Sequence, residues 1–106
     1  MKKYFTIIVF LCTFLAAKPA LADDWPQFGG PDRDGKSHET GLMKKWPEAG
    51  PRLLWVIEGL GTGFGSPAIA DGHVYATGMA KQDKQGILFA FDTDGNRKWQ
   101  ASYGPE

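Results

Sequence analysis

Three stretches carry residue types that could do chemistry. Gly30-Pro31-Asp32-Arg33-Asp34-Gly35-Lys36-Ser37 matches the G-x-x-x-x-G-K-[ST] phosphate loop letter for letter, a motif that aims backbone N–H groups, a lysine and a hydroxyl at nucleotide phosphates. Its setting is wrong for that task. A phosphate loop follows a buried strand and opens a long helix, whereas Trp25-Pro26 precedes this one and Gly41 follows soon after Ser37. Asp32 and Asp34 would repel phosphates, and Pro31 lacks a backbone donor. The segment reads as an acidic turn. Asp92-x-Asp94-x-Asn96 opens like a calcium loop, but Arg97 stands where the loop needs Gly and Tyr103 where it needs Glu. It reads as a turn in which the Asp92 side chain caps backbone N–H groups. Gly63, Gly65 and Ala68 fit the dinucleotide pattern G-x-G-x-x-A, but Pro67 interrupts the helix start and no βαβ unit follows.

Other reactive groups are sparse. His38 and His73 are too few for a zinc site, and His73 beside a hairpin turn reads as solvated. No Ser-His-Asp grouping can be defended on proximity, since sequence alone places no three such groups together. Cys12 is the one cysteine. It sits within an apolar run, with Leu11 before it and Thr13 to Ala17 continuing the run, which is not a lipidation pattern. No catalytic constellation and no metal site is therefore expected.

The elements that must position these residues are short strands. With 14 Gly, 7 Pro and 13% aromatic residues in 106, the balance fits a turn-rich β-structure of one domain. The central stretch is Ala90-Phe91-Asp92-Thr93-Asp94-Gly95-Asn96-Arg97-Lys98-Trp99: a strand end, a tight turn and a return strand closed by tryptophan. Strands are expected at 87–92 and 97–102. Upstream, Ser66 to Ala70 and His73 to Met79 flank Asp71-Gly72, a pair suited to the positive φ angles of a type I′ turn. Residues 53–58 are rich in Leu, Trp, Val and Ile and read as a further strand. The glycines at 59–65 break it, with Phe64 expected as a buried contact.

Before these strands, residues 23–50 read as an extended arm. Two prolines and two glycines within Asp23 to Pro31 exclude a regular helix or central strand. Trp25 and Phe28 are expected to pack on a neighbouring surface. Thr40 to Trp46 has room for one helical turn before Pro47.

Residues 1–22 form a signal-peptide pattern. Met1-Lys2-Lys3 is basic, Tyr4 to Ala17 is almost wholly apolar, and Ala20-Leu21-Ala22 offers small residues at the two positions a signal peptidase reads. The run is too short for the roughly 20 residues of a spanning helix. Cleavage after Ala22 would remove three lysines, leaving 9 basic and 12 acidic residues and a charge of −3. The expected location is the periplasm or the exterior, with no membrane span after cleavage. The charge balance leaves no footprint for nucleic acid.

Trp55 and Trp99 lie 44 positions apart (99 − 55), and Arg52-Leu53-Leu54-Trp55 answers Asn96-Arg97-Lys98-Trp99. Such a period fits one blade of a β-propeller. The run Gly65-Ser66-Pro67-Ala68-Ile69-Ala70-Asp71-Gly72-His73-Val74-Tyr75-Ala76, then Ala90-Phe91-Asp92 through Gly95 to Trp99, resembles the pyrroloquinoline-quinone-type β-propeller repeat. Asp24-Trp25-Pro26-Gln27-Phe28 through Asp34-Gly35 is similar to the N-terminal arm of exported members of that group. One departure is visible: Asp94 precedes Gly95, in a turn one residue shorter than the usual Thr-Gly form.

The resemblance implies an all-β fold, with a four-stranded antiparallel blade behind an irregular arm, as a fragment of a propeller. It also implies that Trp55, Gly95 and Trp99 dock one blade on the next. Partners would be the remaining blades and other envelope proteins. Some relatives are dehydrogenases that use the quinone with calcium; others are scaffolds, and no cofactor ligand carries over to these residues. The expected function is a non-catalytic secreted binding or assembly scaffold. The alternatives are the N-terminal part of a quinone-dependent alcohol or sugar dehydrogenase and a stand-alone small β-domain.

Overall fold

The computed structural model describes residues 22–105. The expected signal peptide, 1–22, lies outside the described residues except for Ala22. Four strands form one antiparallel sheet: β1 (Ala68–Ala70), β2 (His73–Met79), β3 (Gln85–Asp92) and β4 (Arg97–Pro105). They follow one another in space as in sequence. The chain is all-β among the described residues.

The turns are the ones the sequence calls for. Asp71 and Gly72 have φ of 49° and 73°, both positive as a type I′ turn requires. Ala68 to Ala70 then pairs with Tyr75 to His73. β2 and β3 pair in unbroken register from His73–Asp92 to Met79–Gly86.

The third pairing shifts register twice, between Gly86 and Ile87 and between Ala90 and Phe91. Ala90 faces Trp99 and Phe91 faces Arg97, leaving Lys98 without a partner on β3. The extra residue sends Arg97 and Trp99 to opposite faces of the sheet. The Arg97 guanidinium lies 5.1 Å from the Phe89 ring centre and 6.0 Å from that of Phe91. On the other face, Trp99 meets Tyr75 at 6.0 Å between ring centres, and Tyr75 stacks on His73. The fully covered apolar residues are Phe89, Ala90 and Phe91, all on β3, an interior strand. The core is therefore narrow.

The arm closes one edge of the sheet. Trp25 and Ile69 exchange both backbone hydrogen bonds at 2.9 Å, placing Trp25 outside β1. Thr62 does the same for Met79 at the far end of β2, where β1 is too short to reach. On the opposite edge, β4 is exposed along nearly its whole length.

Four expectations about the chain before β1 are corrected. Residues 53–58 run without any ladder partner and form no strand: their side-chain types favour a sheet, but that preference alone does not bring a partner strand alongside. Thr40 to Trp46 makes no helical turn. Phe28 and Phe64 are 85% and 103% exposed, and neither packs on a neighbour. Trp25 does find a surface, half-buried in its own arm with its ring against Gly30.

Candidate functional site

At one end of the sheet, the β1–β2 and β3–β4 turns come together with the segment around Trp55. The β3–β4 turn is built on Asp92. Its Oδ1 accepts the backbone N–H of Asp94 at 3.0 Å and of Asn96 at 2.9 Å. Its Oδ2 accepts the Asn96 Nδ2 donor at 3.1 Å, with Lys98 Nζ at 3.7 Å. These donors favour the carboxylate, the Asn96 backbone N–H most, and hold Asp92 below its ordinary pKa. These donors come from its own turn and from the start of β4. Asp92 and Asp94 thus shape a turn, in keeping with the capping role read from the sequence.

Trp55 closes on this turn. Its Nε1–H donates to the Thr93 carbonyl at 2.9 Å, and its ring lies over Gly95. A β-carbon at Gly95 would stand 2.9 Å from the indole, and Gly95 has φ of 84°. Both the contact and the backbone therefore select glycine there. Trp99 takes no such place. It remains 44% exposed beside Tyr75, so the structure brings Trp55 and Gly95 together and leaves Trp99 apart.

Between the Trp55 segment, the arm and the sheet lies a cavity of about 620 Å³, lined by Leu54, Trp55, Ile69 and Val74 on its apolar side and by Asp23, Asp24 and Asp71 among its polar residues. Asp24 Oδ2 accepts the Asp71 backbone N–H at 3.3 Å, joining the arm to the type I′ turn. This hollow was not legible in the sequence. It depends on Trp25 meeting Ile69 and Trp55 meeting Thr93, contacts between segments far apart in the chain.

The phosphate-loop match folds as a compact turn. Gly30, Arg33 and Gly35 donate to the carbonyls of Gln27, Gly30 and Gly29, and Lys36 N–H donates to Asp34 Oδ1. Among the described residues, neither a strand precedes it nor a helix follows it. Arg33 Nε donates to Gln27 Oε1, and His38 Nε2 pairs with Asp32. The hydrogen bond and charge of Asp32 raise the His38 pKa above its ordinary value. His73 Nδ1 meets the Asp71 carbonyl at 2.9 Å, so the second histidine serves the hairpin.

Among the described residues, no three of His, Cys, Asp and Glu converge as a metal site would need. No helix among the described residues is long and apolar enough to cross a membrane. No family model, no curated protein and no solved structure matches the chain.

Proposed function

We propose that this chain is a blade of an exported β-propeller of the pyrroloquinoline-quinone-type repeat, acting as a non-catalytic binding or assembly scaffold. The observation that carries the reading is the seat of Trp55 on the Gly95 turn. Trp55 stands one repeat length before Trp99, so a residue in the blade-closing position docks on the turn of the sheet that follows it. Trp99, its counterpart, offers its own ring at the other end of the repeat. In such an assembly further blades, and envelope proteins beyond them, would be the partners, and the compartment would be the periplasm or the exterior.

Titration of the exported protein with pyrroloquinoline quinone and Ca²⁺, followed by tryptophan fluorescence and calorimetry, separates the scaffold from the enzyme. The scaffold reading expects no saturable binding. Saturable binding of the quinone that requires Ca²⁺ would replace it with the dehydrogenase reading.

A further inference from the structure

Three consecutive residues of the arm are each held by a partner outside it or further along it. Trp25 pairs with Ile69 through two backbone bonds, Asp24 accepts from Asp71, and the Asp23 backbone nitrogen donates to Glu39 Oε1 at 2.7 Å. The last of these differs from the others. It spans 16 positions, and it joins a side-chain carboxylate to the nitrogen of the residue that would follow the signal-peptidase cut. Glu39 is itself positioned by its backbone N–H, which donates to Ser37 Oγ at 3.2 Å.

We propose that Glu39 is the receptor for the new N-terminal ammonium group, so that export processing fastens the arm to the molecule. The inference rests on cleavage after Ala22. In the precursor the Asp23 nitrogen is an amide with one hydrogen. Hydrolysis of the Ala22–Asp23 peptide bond consumes one water; Ala22 leaves as a carboxylate, and the Asp23 nitrogen becomes an ammonium. An amide donor facing a carboxylate at 2.7 Å thus becomes a full positive charge facing it, and a neutral-donor hydrogen bond becomes an ion pair.

The charges around this amine are mostly negative. Glu39 faces it directly, Asp23 carries its own carboxylate, and Asp24 is the next residue. His38 adjoins Glu39 and is close enough to feel the Asp23 charge. Where His38 is protonated, a state its bond to Asp32 favours, its charge opposes the ammonium. Asp71 meets Asp24 through its backbone N–H.

The test uses the full-length gene exported from a bacterial host. N-terminal sequencing gives the first residue, and competitive acetic anhydride labelling over a pH series gives the reactivity of the α-amine. The expected result is a chain beginning at Asp23 whose amine labels about 1.4- to 5-fold more slowly near neutral pH than that of Glu39→Gln, the range an exposed ion pair gives. Glu58→Gln, which removes the same charge elsewhere, should leave the rate at the native value. Raising the salt concentration should bring the native amine toward the Glu39→Gln rate, and this reading needs no variant to fold. A chain beginning at another residue overturns the cleavage site and the receptor together. A chain beginning at Asp23 whose amine ignores both Glu39→Gln and salt overturns the receptor alone.

Discussion

The Asp92 carboxylate accepts from two backbone N–H groups and one side-chain amide, with an ammonium close by. Its pKa is lowered in the folded state, so the unfolded chain binds its proton more readily. Its contribution to stability is therefore present in full above its unfolded pKa and is lost as pH falls through the folded value. Urea-unfolding midpoints measured from about pH 6 to about pH 2 should fall on the acid side for the native protein, beginning near the unfolded carboxylate range of about 3.9. Asp92→Asn, which keeps an acceptor oxygen but cannot titrate, should flatten that fall. An equally steep acid limb in the variant would assign it to other carboxylates. The Asp92 role was legible because a side chain that caps its own turn needs only local sequence. The Glu39 contact was not, since nothing in residues 23–39 alone fixes which carboxylate meets the arm.

The β3–β4 turn and the Trp55 segment form the unit on which the site depends. Trp55→Phe keeps an aromatic ring over Gly95 but loses the bond to Thr93, and should cost about 0.5–1 kcal/mol. Gly95→Ala places a side chain against the indole at a positive φ and should cost about 1–3 kcal/mol. Denaturant midpoints at constant slope check both, and the order is the discriminating result. A Gly95→Ala protein as stable as native would mean that the indole is not seated on the turn. At this scale the sequence was an uneven guide. Asp71-Gly72 and the strands around it were legible, because turn chemistry and alternation are local properties. Residues 53–58 misled because the sheet preference of Leu, Trp, Val and Ile does not by itself bring a partner strand alongside. The bulge at Lys98 left no mark in the sequence. Strict alternation would have put Arg97 and Trp99 on one face.

Over the whole molecule, the apolar surface exceeds what one sheet can cover. Leu53, Leu54, Val56 and Phe64 are all exposed, while the covered apolar residues are confined to β3. The arm pairs with β1 at one edge of the sheet, while β4 forms the other edge and is exposed along nearly its whole length. The isolated chain should therefore associate as its concentration rises, seen as an increase in weight-average sedimentation coefficient. Leu53→Lys together with Val56→Lys should weaken this association while leaving far-UV circular dichroism of the sheet unchanged. Association unaffected by both would place the contact on β4 instead. The exposure of Phe28 and Phe64 could not be read from the sequence, because burial depends on what lies opposite a side chain and not on the side chain alone.

The strand order has a consequence for the time course of folding. Each strand pairs with its neighbour in sequence, so the sheet can assemble by short loop closures in succession. The Trp25–Ile69 and Trp55–Thr93 contacts instead close loops of 44 (69 − 25) and 38 (93 − 55) positions, and closure entropy grows with loop length. Hairpins first and hollow last is the sequence of events this connectivity favours, which makes the cavity the youngest part of the molecule each time the chain folds.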